Sequence, residues 1–187
     1  MKSLHVFNFI SLDGYFAGLH GDIGWHSHDA TDNEPHEYGV DSLKAGNTLL
    51  FGRVTYQMMS SYWPSPQALE NDPVMAKGMN EAPKLVVSRT LKSATWDNTR
   101  LLSGDLVETV RQLKQTSSQD ITILGSGSLV TQLSEAGLID SYQFMLDPIA
   151  LGAGRSIFHG MKKTLRLRLT SSRVFKQGQL LLVYTPA

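Results

Sequence analysis

Apolar positions in this chain gather into short runs, and small polar residues interrupt them at regular intervals. Residues 4–10 are rich in β-branched and aromatic side chains and predict a strand, ended by Ser11-Leu12-Asp13-Gly14. Gly14, Gly18, Gly21 and Gly24 then mark a loop that runs to about Trp25. A weak helical pattern spans about 32–45, with Pro35 suited to a first turn. A strand over 48–51 follows, and a helix from about Val54 carries Tyr56, Met59 and Tyr62. Trp63-Pro64-Ser65-Pro66 breaks it. Asp72 before Pro73 reads as an N-cap with proline at the first helical position, predicting a short helix over 73–80.

The second half repeats the alternation. A strand over 84–88 leads through a polar segment to Arg100-Leu101-Leu102. Leu106, Val107, Val110 and Leu113 form one apolar helical stripe. A strand over 121–124 enters a helix bearing Leu129, Val130 and Leu133, which Gly137 stops. A strand covers 141–147, with Asp140 a turn or strand-start residue. Two long strands, about 164–175 and 179–185, are joined at Gln177-Gly178. Strands alternate with helices and an antiparallel hairpin closes the chain. That order predicts one domain: a three-layer α/β sandwich with a mixed, mostly parallel sheet.

Composition narrows the function classes. The 187 residues are 41% hydrophobic, enough for a substantial core. Lys+Arg and Asp+Glu both number 17, a balance that argues against nucleic acid as a partner. There is no cysteine, which excludes disulfides, thiolate nucleophiles and Cys-based zinc sites. No basic segment with an apolar h-region opens the sequence, and no apolar run approaches ~20 residues. The expectation is a cytoplasmic protein without membrane attachment.

Three strands end in loop signatures with a common chemistry: Gly52-Arg53-Val54-Thr55, Ser88-Arg89-Thr90 and Gly125-Ser126-Gly127-Ser128. In an open α/β sheet, ligands bind outside the carboxyl ends of the strands. Glycine lets backbone approach a phosphate, and the following helix aims free N–H groups at it. Two arginines and several hydroxyls suit a ligand with several phosphates, so the chain is expected to bind a dinucleotide, NADPH.

These motifs, in this order, together with Asp147-Pro148-Ile149-Ala150-Leu151-Gly152-Ala153-Gly154 and Phe158, resemble the dihydrofolate-reductase-like superfamily. The nearer likeness is to the branch related to the C-terminal reductase domain of the bifunctional riboflavin-biosynthesis deaminase/reductase. The resemblance spans almost the whole chain. It implies a dihydrofolate-reductase-like fold and NADPH as cofactor. Gly52, Arg53, Val54 and Thr55 would sit at the pyrophosphate, Ser88, Arg89 and Thr90 near the adenosine 2′-phosphate, and Gly125, Ser126, Gly127 and Ser128 around the phosphates. It also implies hydride transfer to a C=N or C=O bond of a small pterin- or pyrimidine-like heterocycle, as in 5-amino-6-(5-phosphoribosylamino)uracil reductase. Dihydrofolate reduction is the alternative, and a non-catalytic NADPH-binding module is a reading of another class. Two features depart from the branch: Phe7 stands where the riboflavin reductases carry a lysine, and there is no deaminase domain.

Asp13 is a candidate to orient substrate or relay a proton, or else a turn aspartate. Asp29 is a candidate proton donor, or else a helix N-cap. Asn8, Ser11 and Trp25 are candidate substrate contacts, and Trp25 is equally a packed tryptophan. His26, His28, Asp29 and His36 lack the spacing of a metal site, and no metal is expected. Gly152 and Gly154 are expected to shape a loop near the cofactor. Tyr56, Met58, Met59 and Tyr62 could line a ligand site, but their helical spacing is more often that of a core. The related reductase domains imply a homodimer through the long C-terminal strands, which carry the apolar stretch Leu180-Leu181-Leu182-Val183.

Overall fold

The computed structural model describes residues 1–26 and 34–187. One eight-stranded sheet organises the chain, in the order β5-β4-β3-β6-β1-β7-β10-β9. Its members are β1 (Leu4–Ser11), β3 (Thr48–Gly52), β4 (Lys84–Val87), β5 (Thr99–Leu102), β6 (Ile121–Leu124), β7 (Ser141–Asp147), β9 (Leu167–Val174) and β10 (Leu180–Pro186). Neighbouring strands from β5 across to β7 are parallel, and β10 runs antiparallel to both β7 and β9. The mostly parallel sheet with its C-terminal antiparallel hairpin is thus as the sequence pattern predicts.

Helices cover both faces because the central strands are apolar on both. On β3, Leu50 packs with Val110, Leu113, Val130 and Leu133 of α5 (Leu106–Thr116) and α6 (Gly127–Glu135). Its neighbours Leu49 and Phe51 point to the other face, among Tyr56 of α2 (Arg53–Tyr62) and Met79 of α4 (Pro73–Glu81). Strand side chains alternate between faces, so one buried run of three serves two cores. Two further helices are α1 (Glu34–Lys44) and α3 (Pro66–Asn71).

Buried charge is locally answered. Lys84 is 1% exposed, and its Nζ donates to the carbonyls of Met79, Asn80 and Ala82 at 2.7–2.9 Å, closing the end of α4. Burial holds its pKa down at about 8, partly opposed by the charge of Asp97. Asp140 starts β7 as predicted: it accepts the N–H of Leu4 and pairs with Lys114 at 2.6 Å.

Two local expectations need correction, and one helix was not foreseen. The stretch 63–66 breaks the helix as predicted, α2 ending at Tyr62, but α3 follows it directly. Ser65 caps α3 by accepting the N–H of Ala68, and Pro66 takes the first helical position. The glycine-rich segment 14–25 is not loop throughout. Within it β2 (Tyr15–Ala17) pairs antiparallel with β8 (Arg155–Ser156), and Gly24–His26 forms a 3-10 turn. The penultimate strand starts at Leu167 rather than 164. Among the described residues no helix is long and apolar enough to cross a membrane.

Candidate active site

A cleft of ≈ 1890 Å³ lies along the carboxyl ends of β1, β3, β4 and β6 and the sheet face under α1. Drug-sized ligands occupy roughly 300–1,000 Å³, so the cleft has room for a dinucleotide and a second, smaller molecule. Its lining includes Gly52, Arg53, Val54, Thr55, Ser88, Arg89, Thr90 and Gly125 through Ser128. The structure therefore brings together all three loops that the sequence singled out.

Two helix N-termini open into this cleft side by side. Neither α2 after Gly52 nor α6 after Ser126 has a side-chain cap. Uncapped first-turn N–H groups and the helix dipole together favour an anion. The two loops are tied to each other: Gly52 N–H donates to Ser126 Oγ at 2.7 Å, and that hydroxyl donates to Thr55 Oγ1 at 3.0 Å. Gly125 and Ser126 both adopt left-handed backbone, with φ of 63° and 58°. A Cβ at Gly125 would stand 2.9 Å from Thr55 Cγ2, so only glycine fits there.

Among the predicted hydroxyl contacts, Thr55, Ser88 and Ser126 are buried and largely spent on the loops themselves. Ser88 Oγ accepts the N–H groups of Thr90 and Leu91, which turns the chain and leaves Arg89 and Thr90 exposed at the cleft. Arg53 is also exposed there, with Nη1 donating to Gln57.

The substrate-side expectations fare unevenly. Asn8 lines the cleft, 5% exposed, with Nδ2 buried and without a hydrogen-bond partner. An unmet buried donor costs about 1–3 kcal/mol, which a ligand acceptor would relieve. Ser11 does not reach the cleft: it is fully buried, donating to Asp13 Oδ1 at 2.6 Å and accepting from Tyr15 N–H. Asp13 is likewise outside the cleft. Its carboxylate accepts the N–H groups of Leu151 at 3.1 Å and Gly152 at 2.7 Å. The Ser11 hydroxyl foremost, then the Gly152 and Leu151 amides, hold its pKa below the usual carboxylate range. An ionised, fully engaged carboxylate is a loop anchor, which corrects the proton-relay expectation. Trp25 does not line the cleft; its neighbour His26 does, with its ring stacked on Phe9 at 4.4 Å. Asp29 lies outside the described residues. His36 is paired with Asp72 at 2.7 Å, and among the described residues no three metal-ligating side chains converge.

Residue-type reasoning missed several cleft residues. Phe7 and Phe9 share one face of β1, their rings in edge contact at 5.4 Å. Tyr38 of α1 lies 6.0 Å from the Phe7 ring and donates to Gln143 of β7 at 2.8 Å. The alternation His5-Phe7-Phe9 was the available signal, since these side chains face away from the Leu4-Val6 core. Tyr56 is core as expected, whereas Met58, Met59 and Tyr62 also border the cleft.

The sheet order, the antiparallel C-terminal hairpin and the cleft at the strand ends define a dihydrofolate-reductase-like α/β protein. Dihydrofolate reductase from Enterococcus faecalis, solved with NADP(H), superposes with a TM-score of 0.65 at 15% identity, over 98% of this chain and 96% of that one. The deaminase/5-amino-6-(5-phosphoribosylamino)uracil reductase of Thermotoga maritima superposes with a TM-score of 0.73 at 14% identity, covering this whole chain and 57% of the other. In sequence, the chain is 28% identical over 176 residues to YyaP of Bacillus subtilis, covering 94% and 90% of the two proteins. Residues 2–181 match the model of the RibD C-terminal domain, and the chain belongs to that family.

Proposed function

We propose that this protein is an NADPH-dependent reductase acting on a C=N or C=O bond of a small pterin- or pyrimidine-like heterocycle. The observation that carries the reading is the pair of uncapped helix N-termini, fastened together by Gly52 and Ser126, in one cleft with Arg53 and Arg89. The residues fit the cofactor on physical grounds: glycine at the crowded position 125, open N–H groups, and guanidinium forks suited to phosphate. Arg53, Val54 and Thr55 with residues 125–128 would hold the pyrophosphate, and Arg89 with Thr90 the adenosine 2′-phosphate. When bound, NADPH supplies the hydride. The chain's part is to position the two ligands and deliver a proton.

The substrate would lie on the sheet face under α1, against Phe7 and Phe9, with Asn8 offering its unmet donor. Asp13 is committed elsewhere, so the proton is assigned to Asp29. Asp29→Asn should lower turnover by ~10²-fold or more, the usual range for losing a general acid, and leave NADPH affinity unchanged. The primary test is a fluorescence titration with NADPH and NADH, followed by a screen of heterocyclic hydride acceptors. NADPH should bind at least ~10-fold tighter, a difference of about 1.4 kcal/mol. Equal affinities would refute the cofactor assignment.

A further inference from the structure

We propose that the cleft continues beneath α1, past Phe9 toward the amino ends of the strands, as a pocket for a neutral side arm of the substrate. The arm would have an apolar link against Phe7 and Leu124 and a hydrogen-bonding head at Gln143 and His5. The proposal rests on the reductase reading only in taking that reading's substrate ring as the group from which the arm extends.

The packing of the two sheet faces carries the first part. Under α5 and α6 the buried residues form one continuous core, from Leu50 through Val6 to Phe144. Under α1 the core is in two pieces. Leu49, Phe51 and Trp96 belong to one, on the β3–β4 side; Met145, Phe175 and Leu181 form the other, on the β7–β10 side. Strands β6 and β1 run between the two. Their side chains on this face line the cleft: Thr122 and Leu124 from β6, and His5, Phe7 and Phe9 from β1. Helix α1 does not close the gap, since Pro35 and Val40 are its buried residues. Protein interiors pack without voids of this size, and a gap over two central strands is room for a ligand.

Strand register carries the second part. Phe7 pairs with Leu124 on one side and Gln143 on the other, and His5 pairs with Thr122 and Ser141. Paired residues share a face, so these form two successive rows below Phe9. Four residues separate Phe9 from His5, about 13 Å along the strand at ~3.3 Å each. The nearer row is apolar except for Gln143. Tyr38 roofs it, its ring 6.0 Å from that of Phe7, and its hydroxyl donates to Gln143 Oε1 at 2.8 Å. That bond fixes the carboxamide and leaves its N–H groups for an acceptor on a ligand. The deeper row is polar and held in place: His5 Nδ1 lies 2.8 Å from Ser141 Oγ, and Thr122 Oγ1 accepts from Asn47 at 3.0 Å. The cleft's arginines, Arg53, Arg89 and Arg155, follow β3 and β4 or sit on β8, and neither row contains a lysine or arginine. A phosphate or carboxylate would be desolvated there without a cation to answer it. The head is therefore an uncharged acceptor, a hydroxyl or an amide.

Two probes of one shape test the pocket by itself: benzamide and benzoate, titrated by saturation-transfer NMR into protein saturated with NADP⁺. Benzamide should bind at least ~10-fold tighter than benzoate, and Gln143→Leu or Thr122→Met should weaken it by ~10-fold or more. NADPH affinity should stay unchanged in both variants, and matching thermal unfolding shows that the fold is kept. No binding of benzamide to wild type, benzoate binding as tightly, or equal benzamide affinity in wild type and both folded variants would overturn the proposal. The wild-type ranking decides the matter should a variant fail to fold. Pterin and neopterin then test the occupant, since neopterin adds a neutral trihydroxypropyl arm to the same ring. Neopterin should bind wild type at least ~10-fold tighter than pterin and lose that advantage in Thr122→Met. Pterin binding as tightly as neopterin would overturn the assignment of the pocket to a substrate arm. Binding of benzamide but of neither pteridine would support the pocket and count against the pterin-like ring, and failure of wild type to bind NADPH would count against the reductase reading.

Discussion

The Ser126 hydroxyl accepts the N–H of Gly52 at 2.7 Å and donates to Thr55 at 3.0 Å, so one side chain joins the loops after β3 and β6. It does this from a left-handed backbone, φ 58°, which a serine adopts at a cost. Removing the hydroxyl leaves a buried amide unmet, with a penalty of about 1–3 kcal/mol. Ser126→Ala should lower unfolding free energy by that amount in a urea titration and weaken NADPH. Ser126→Gly should be less destabilising than Ser126→Ala, because glycine relieves the backbone. The opposite ranking would mean that the left-handed backbone at 126 carries no cost, and an undiminished stability of Ser126→Ala would mean that the hydroxyl bonds do not organise the loop.

The two cleft arginines should differ in kind. Arg89 follows β4 and Arg53 opens α2, one strand nearer the joined helix ends. Arg89→Ala should weaken NADPH far more than NADH, since only NADPH carries the 2′-phosphate. Arg53→Ala should weaken both. Fluorescence titrations of the two variants check this, and identical patterns would mean that the loops are assigned wrongly.

Asp13 gives a pH prediction. Its carboxyl pKa is lowered in the folded chain, chiefly by the Ser11 hydroxyl and then by the Gly152 and Leu151 amides. A depressed folded pKa contributes stability above the unfolded value of 3.8, and that contribution is lost as pH falls through the folded value. The 148–155 loop should therefore stay docked at pH 5 and loosen in stronger acid. At neutral pH, Asp13→Asn removes the charge-assisted bonds. Trypsin should then cleave after Arg155 faster than in wild type, while cleavage rates elsewhere hold.

Much of this was readable from the sequence where punctuation and period agree. The strand–glycine–helix transitions at 52 and 125, and the glycine at 137 that ends α6, each combine an apolar run with a residue that must turn the chain. The β2–β8 pair was not readable, because strands of three and two residues have no period. Their pairing depends on contact between segments about 140 residues apart, fastened by Asp13. The residue type alone suggested an acid for Asp13; only its partners show an anchor. Two prolines close together hid α3, since Pro66 starts a helix as readily as it ends one. Phe9 and Tyr38 were overlooked because aromatic residues at strand and helix spacing look like core until the cleft beside them is known.

Lys84 makes the sheet's far edge sensitive to alkaline pH. Burial lowers its folded pKa to about 8, against 10.5 for an unburied lysine. Below pH 8 both states are protonated and the full cost of the buried charge is present. Between pH 8 and 10.5 the unfolded chain binds the extra proton, so this residue makes stability rise with pH, by up to about 1.4 kcal/mol per unit. The comparison is urea unfolding of wild type and Lys84→Met at pH 7, 9 and 10. Their stability difference should shift toward wild type as pH rises. Lys84→Met should also be destabilised by about 2–4 kcal/mol at pH 7, because three carbonyls at the end of α4 lose their donor. A pH-independent difference would show that Lys84 titrates normally.

The last prediction concerns association. β9 is the outer strand of the sheet, eight residues long, and seven of them are exposed. Val174 is 71% exposed and Leu169 49%. A long edge strand with apolar side chains invites pairing with another chain. Arg168 and Arg173 place charge on it, but Arg173 is already paired with Glu34 at 2.6 Å, which reduces its repulsive effect. We therefore expect a homodimer formed through the β9–β10 hairpin, covering this edge or the face beside it. Light scattering at micromolar concentration should give twice the 20.7 kDa chain mass. Leu169→Lys combined with Val174→Lys should return the mass to one chain without loss of secondary structure. A wild-type monomer under these conditions, or a dimer that survives both substitutions, would rule out this surface.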